Sequence, residues 1–177
     1  MASCILSGDG TVKKDLAIIF GLFLLIAILV VFGRGYTSGG LLTGQGEAAV
    51  GRKGFTAVTI KDLSVNARVA SLASERKKGL SGQNSLPMTD GLLFVFENSG
   101  LYPFWMKDMK FAVDIIWIDE NKTVVYIVNN APFEPDRDSD ELTLYRPTSA
   151  AKYVLEINAG LAQRYGIVVG DLVNFKL

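Results

Sequence analysis

Two carboxylates inside apolar runs are the residues of this chain that could do chemistry. Asp114 interrupts the run Phe111–Ile118, and Glu156 interrupts the run Val154–Ile157. An unpaired carboxylate buried in such a run costs on the order of several kcal/mol. Each carboxylate must therefore be paired, hydrogen-bonded, placed at the wet edge of its strand, or protonated. Arg76 is a natural partner for either of them.

These carboxylates allow three interpretations. They could join one internal network of ion pairs and backbone hydrogen bonds. They could form the polar floor of an apolar pocket walled by Tyr102, Trp105 and Met106. One raised and one lowered carboxyl pKa would also be the minimal pair for glycoside cleavage. The candidate ligand-binding residues are Arg76, Trp105, Met106, Asp114 and Glu156, and no catalytic residue is assigned.

Composition removes much other chemistry. The 177 residues include no histidine and one cysteine, Cys4, so His-based catalysis, His-ligated metals and an internal disulfide are excluded. The 18 basic residues balance the 18 acidic ones, and no basic stripe suited to nucleic acid is present. We predict no cofactor, no metal site and no nucleic-acid partner.

The acidic run Asp136–Glu141 resembles the opening of a calcium loop, because alternate carboxylates could converge on one ion. Glu141 stands where an EF-hand needs glycine, and Pro147 stands where it needs glutamate. The run is therefore not an EF-hand. A looser calcium site and a solvated acidic loop both remain open interpretations.

The elements that would position these residues are mostly strands. Phe55–Ile60 and Leu63–Val69 alternate around a turn at Lys61, and Ser71–Lys78 is typical of a short helix ended by Gly79. A second short helix is predicted over Gly160–Tyr165. Further strands are predicted over Gly91–Phe96, Phe111–Ile118, Thr123–Val128, Leu142–Tyr145, Lys152–Ile157 and Asp171–Leu177. The expected fold is mainly β, a jelly-roll-like sandwich or squashed barrel with one or two short helices.

A single transmembrane helix is predicted ahead of this β domain. Leu16 to Gly33 contains no charge, and as a helix it would be long enough to cross the hydrocarbon core of a bilayer. Lys13 and Lys14 precede it and Arg34 follows, which favours a cytoplasmic N-terminus. We predict a cytoplasmic segment (1–15), a membrane anchor (16–33), a flexible Gly-rich linker (34–54) and an extracytoplasmic β domain (55–177). A cleaved signal peptide is the alternative.

Six blocks in order resemble the family called domain of unknown function 192, or uncharacterised protein family 0127. They are Ser74–Leu80, Gly91–Phe96, Phe104–Lys107, Asp114–Asp119, Tyr153–Glu156 with Gly160, and Gly166-Ile167 with Gly170-Asp171. The resemblance implies a small extracytoplasmic β domain with a jelly-roll-like sandwich and implies no reaction. Asp108-Met109 stands where the family commonly has Asn-Thr, so a family pocket at this position could take a different ligand here.

These observations favour a non-catalytic binding or interaction module, tethered to a membrane at the cell envelope. Its partner would be an envelope protein, an envelope polymer or a small ligand. The alternative is a carboxylate-based envelope hydrolase, similar to a glycosidase, that uses Asp114 and Glu156. No Gly-x-Ser-x-Gly elbow supports the enzyme.

Overall fold

The computed structural model describes residues 54–135 and 137–177. The predicted cytoplasmic segment, the anchor Leu16 to Gly33 and all of the linker except Gly54 lie outside the described residues. Within them, no helix is long and apolar enough to cross a membrane.

Seven strands and two short helices make up the described chain. They are β1 (Phe55–Ile60), β2 (Leu63–Ala70), α1 (Ala73–Lys78), β3 (Asp90–Gly100), β4 (Val113–Ile118), β5 (Val124–Ala131), β6 (Ala151–Asn158), α2 (Leu161–Arg164) and β7 (Val173–Asn174). The mainly β composition is confirmed. The strand predicted over Leu142–Tyr145 is wrong, because the Thr143 N–H donates to the Glu134 carboxylate and not to a neighbouring strand. Tyr145 forms only an isolated bridge with Phe104.

All seven strands belong to one sheet, in the order β5-β4-β6-β3-β2-β1-β7. A sandwich would need two sheets. Although β5 and β7 lie at opposite ends of this order, Thr123 beside β5 bridges Leu172 beside β7. The sheet therefore curls into a half-barrel whose edges meet at one end. Neighbouring strands are antiparallel except β2 and β3, which are parallel and are joined by a crossover that contains α1.

The two faces of this sheet carry separate apolar clusters, which we name after consecutive residues of β6. The Leu155 face includes Tyr153 and Ile157 and is covered by Leu161 and Ala162 of α2. The Val154 face is covered by the loop between β3 and β4 and by Leu80, which follows α1. Its buried members are Ala70, Leu80, Leu92, Phe94, Met106, Met109, Val113, Ile115, Trp117, Ala131, Ala151 and Val154.

The helix α1 begins and ends at sites that the sequence encodes locally. The Glu75 carboxylate accepts hydrogen bonds from the backbone N–H groups of Ser71 and Leu72, each at 3.0 Å. Gly79 ends the helix at a φ of 53°, a conformation that side chains with a Cβ rarely adopt. The last turn carries Arg76, Lys77 and Lys78. The crossover thus delivers a cluster of cations to the Val154 face.

Candidate functional site

Asp114 is a buried carboxylate whose oxygens are fully engaged by the backbone. Its Oδ1 accepts hydrogen bonds from the N–H of Asn130 at 2.8 Å and of Gly160 at 3.0 Å, and its Oδ2 accepts one from the N–H of Ala162 at 2.8 Å. The side chain is 0% exposed. These bonds tie β4 to the end of β5 and to the start of α2. Asp114 therefore organises the Leu155 face.

Glu156 is buried in a different manner. The residue is 5% exposed, and its Oε2 has no hydrogen-bond partner among the described residues. Burial raises the pKa of Glu156 to about 8, and the positive charge of Arg68 opposes this rise only in part. At neutral pH the side chain is therefore mainly a neutral carboxylic acid, which can donate a hydrogen bond as well as accept one.

The two carboxylates lie on opposite faces of the sheet. In the antiparallel pair of β4 and β6, Asp114 is opposite Ile157 and Ile115 is opposite Glu156. Paired residues project to the same side of a sheet, and successive residues project to opposite sides. Asp114 thus lies on the Leu155 face and Glu156 on the Val154 face. The structure does not bring them together across a cleft.

A cavity of about 190 Å³ lies on the Val154 face, with Glu156 in its lining. One side is formed by the end of α1 and the residues that follow it, and the other by the loop between β3 and β4. Its lining comprises Arg76, Lys77, Lys78, Gly79, Leu80, Ser81, Phe94, Phe96, Tyr102, Pro103, Phe104, Trp105, Lys107, Met109 and Glu156. We call Glu156 the floor of the cavity and its aromatic side chains the walls. The basic rim is formed by Arg76, Lys77, Lys78 and Lys107.

Hydrogen bonds hold the two sides of the cavity in place. The Ser81 hydroxyl donates to the Lys107 carbonyl at 2.9 Å and so links the segment after α1 to the opposite loop. The buried Trp117 indole donates to the Tyr102 carbonyl at 2.9 Å. Tyr102 stacks on Phe96, with ring centroids 3.6 Å apart. A wall fixed by packing and hydrogen bonds in this way is suited to a preformed binding site.

Two of the cations that line the cavity are held close to aromatic rings. The Arg76 guanidinium lies 5.0 Å from the centroid of Phe96 and donates hydrogen bonds to the Val95 carbonyl at 3.1 Å and to the Ser71 carbonyl. The Lys107 ammonium lies 5.9 Å from the centroid of Trp105, an indole that is 50% exposed. Aromatic faces attract cations, so these contacts orient the positive charges around the cavity mouth.

The structure brings together three of the five residues that the sequence proposed as a site. Arg76, Trp105 and Glu156 line the cavity, whereas Met106 is buried in the core of the Val154 face and does not line it. Asp114 belongs to the other face. Among the described residues, neither carboxylate forms an ion pair with Arg76. The charge that acts on Glu156 is that of Arg68.

Sequence reasoning missed Arg68 because its relation to Glu156 depends on strand pairing. Arg68 is opposite Leu92 in the parallel pair of β2 and β3, and Leu92 is opposite Glu156. The three residues therefore share one row across three strands on the Val154 face. The alternation of β2, whose Leu63, Val65 and Ala67 are buried on the Leu155 face, was the available signal.

The loop that contains the acidic run is held by contacts of Glu134, which precedes the run, with Thr143 and Arg137. Asp136 lies outside the described residues. Glu134 beside it accepts hydrogen bonds from the Thr143 N–H at 3.0 Å and the Thr143 hydroxyl at 2.8 Å, which together with Arg137 lower the pKa of Glu134. The described part of this loop, like the rest of the described chain, contains no cluster of three possible metal ligands.

Comparison with known proteins places the chain in a family. Residues 56–175 match the family DUF192, described as "Uncharacterized ACR", and the chain belongs to that family. This confirms the family to which the six sequence blocks pointed. The chain matches no curated protein.

Two crystal structures are similar to the described domain. One, from Novosphingobium aromaticivorans DSM 12444, is a protein of unknown function with 30% identity and a TM-score of 0.58 over 68% of this chain and 83% of that chain. The other, from Sinorhizobium meliloti 1021, is provisionally described as a transcription regulator. It has 24% identity and a TM-score of 0.61 over 68% of this chain and 92% of that chain. The second likeness shows the fold alone.

Proposed function

We propose that this protein is a non-catalytic binding module whose ligand enters the cavity on the Val154 face. The observation that carries the proposal is Glu156, a buried carboxyl group that faces a cavity with an oxygen left unpartnered among the described residues. A buried polar atom without a partner destabilises a fold by about 1–3 kcal/mol. A ligand that hydrogen-bonds to it would remove that penalty, which gives binding at this site a physical basis.

The glycosidase-like hydrolase has less support than the binding module. Its mechanism needs two carboxyl groups flanking one bond, at separations of about 5–9.5 Å across an open cleft. Asp114 and Glu156 lie on opposite faces of the sheet, and Asp114 already accepts three backbone hydrogen bonds. Glu156 is the one acid among the described residues that line the cavity, so the site offers no second carboxylate for a nucleophile or base.

Titrating the full chain with single-ring compounds tests the binding function. Benzoate, benzamide, benzylamine and methyl glucoside cover anionic, neutral, cationic and sugar ligands. The two indole N–H signals in the NMR spectrum report the site, because Trp105 lines the cavity and Trp117 is buried behind it. We expect at least one compound to shift the Trp105 signal.

A filled cavity provides the control for this titration. Ser81→Phe places a ring in the lining, whereas Gln83→Phe changes the same loop outside the lining. Binding should be lost in Ser81→Phe and kept in Gln83→Phe. If no compound shifts Trp105, or if both variants bind like the wild type, the cavity is not the binding site.

The location of the module at the cell envelope is part of the proposal and rests on the apolar segment Leu16 to Gly33. Cys4, the single cysteine, provides a test of orientation. In intact cells, a membrane-impermeant maleimide should leave Cys4 unlabelled. It should label a variant that combines Cys4→Ser with Ser139→Cys, because Ser139 is exposed on the domain. Labelling of the wild type, or failure to label this variant, would contradict the predicted topology. Cleavage of a signal peptide would remove Cys4 and show as a lower mass.

A further inference from the structure

The cavity on the Val154 face has a chemical polarity that defines its ligand. Resting on the proposed function, we infer that this ligand is a single-ring organic anion with a hydrogen-bond-accepting oxygen opposite its anionic group. The oxygen meets Glu156 at the floor, the ring lies between the aromatic walls, and the anionic group faces the basic rim. Size, floor and rim each support one part of this inference.

The volume of the cavity suits a ligand with one ring. A dry apolar cavity of about 150 Å³ holds one benzene molecule. At about 190 Å³, this cavity has room for a six-membered ring and one or two small substituents. Sites for drug-sized ligands begin at about 300 Å³. The aromatic side chains in the lining favour a flat ring that can stack or make edge contacts. They are Phe94, Phe96, Tyr102, Phe104 and Trp105.

The floor selects for an acceptor atom. Glu156 is 5% exposed and lines the cavity, and its Oε2 has no partner among the described residues, so its carboxyl group is available to hydrogen-bond with a ligand. Burial raises the Glu156 pKa to about 8, and the protonated carboxyl group is a donor. An ether, carbonyl or hydroxyl oxygen on the ligand satisfies this donor.

The rim selects for negative charge. Among the described residues that line the cavity, four are cationic and Glu156 is the single acid. With Glu156 protonated, the lining is positive at neutral pH. The cations are Arg76, Lys77, Lys78 and Lys107.

Ionisation of Glu156 should weaken binding, because it removes the donor and adds a negative charge beneath the ligand. The titratable or charged groups that face it come from three elements. They are Arg68 of β2, Arg76, Lys77 and Lys78 of α1, and Tyr102 and Lys107 of the loop between β3 and β4. The adjacent strands β3 and β4 place Leu92 and Ile115 opposite Glu156, and neither of these titrates. Glu156 is thus the acid of the site.

Three matched probes test the ligand class on the full chain by calorimetric titration. p-Methoxybenzoate has the ring, the oxygen and the charge. p-Ethylbenzoate replaces the oxygen by a methylene group, and p-methoxybenzamide replaces the carboxylate by a neutral amide. We expect p-methoxybenzoate to bind about tenfold more tightly than either analogue, since each analogue lacks one hydrogen bond or one charge interaction.

The dependence on pH distinguishes a role for Glu156 from simple packing. p-Methoxybenzoate stays an anion between pH 6 and pH 9, so its own charge is constant. Because about one-tenth of Glu156 is protonated at pH 9, affinity for the wild type should fall roughly tenfold over this range. Glu156→Gln keeps a neutral donor and should bind with constant affinity. Glu156→Leu keeps the volume and loses the donor, so it should bind p-methoxybenzoate and p-ethylbenzoate equally.

The outcomes separate this inference from the proposed function. If benzamide, benzylamine or methyl glucoside binds in the cavity while the three probes show no preference for the anion with the oxygen, the cavity is a binding site and the inferred ligand class is wrong. If the wild type and Glu156→Gln share one pH profile, the floor has no donor role and the inference is overturned. If no compound reaches the cavity, the proposed function fails with it.

Discussion

Asp114 on the Leu155 face and Glu156 on the Val154 face are carboxylates shielded from solvent on neighbouring strands. Asp114 accepts hydrogen bonds from three backbone N–H groups, whereas Glu156 has an oxygen without a partner among the described residues and faces a cavity. The first arrangement links three segments of the chain and stabilises the fold. The second opposes folding and leaves a hydrogen-bonding group available. Burial alone therefore does not show whether the fold engages a carboxyl group; its hydrogen-bond partners do.

A substitution at Asp114 should have the largest effect. In Asp114→Asn, an amide N–H₂ replaces one accepting oxygen and opposes a backbone N–H. We expect a loss of about 4 kcal/mol in the free energy of unfolding, because hydrogen bonds to a charged acceptor are each worth about 1.5–3 kcal/mol. Urea unfolding at pH 7 measures this loss. Asp62→Asn, in the exposed turn between β1 and β2, should change stability by less than about 0.5 kcal/mol. A loss below about 1 kcal/mol in Asp114→Asn would show that Asp114, like Glu156, does not stabilise the fold.

The ionisation of Glu156 should make stability depend on pH, and replacing Glu156 should stabilise the fold, whereas replacing Asp114 destabilises it. In the unfolded chain Glu156 has the ordinary glutamate pKa of 4.5, whereas burial in the folded protein raises its pKa to about 8. Below pH 4.5 both states are protonated and the fold is not penalised. Between these values only the unfolded state ionises, so stability falls as pH rises, by about 1.4 kcal/mol per pH unit.

Glu156→Gln removes this titration. The variant should be more stable than the wild type by about 2 kcal/mol at pH 7, since the deficit of about 2.5 pH units, or about 3.4 kcal/mol, is offset in part by the buried amide. The two proteins should converge near pH 5. Unfolding in urea at pH 5, 6, 7 and 8 gives the comparison. Parallel curves for the wild type and the variant would mean that Glu156 is not protonated in the fold.

The smallest effect separates the two arginines near Glu156. The charge of Arg68 lowers the pKa of Glu156, so Arg68→Met should raise that pKa above about 8, by less than about one unit. Arg76→Met should leave it unchanged, because the Arg76 guanidinium is held by the Val95 carbonyl and the Phe96 ring. An NMR titration of the ¹³C-labelled carboxyl group measures both. A larger response to Arg76→Met would restore Arg76 as the partner that the sequence suggested.

Local signals explain why much of the sheet could be predicted. Alternation and the turn at Lys61 gave β1 with its observed bounds, and β2 within one residue. The all-buried β4 and the largely buried β6 were recognisable as apolar runs. The pairing of strands has no such local signal. The structure therefore has one curled sheet with a parallel pair, whereas a sandwich was one of the two expected architectures. For the same reason, the strand predicted over Asp171–Leu177 is reduced to Val173–Asn174.

The sequence identified the two buried carboxylates but not their partners or their positions in the fold. The apolar surroundings of Asp114 and Glu156 showed from the sequence that each would need an explanation. The donors to Asp114 are backbone groups 16, 46 and 48 residues away along the chain, and no side-chain type encodes them. Assigning the two carboxylates to opposite faces needed the register of β4 against β6. Residue types therefore identify the buried carboxylates, whereas long-range strand pairing determines their partners and the face on which each lies.

The position of β6 in the sheet has a consequence for synthesis. In space β6 lies between β3 and β4, although it follows both of them by 33 residues or more along the chain, from Ile118 to Ala151. While a ribosome makes the chain, β3 and β4 each wait with an open edge that only β6 can pair. Apolar strands with open edges are prone to associate with other chains. The nascent domain is therefore most exposed to aggregation until Asn158, the end of β6, has emerged. The cavity that Glu156 lines can form only after that point.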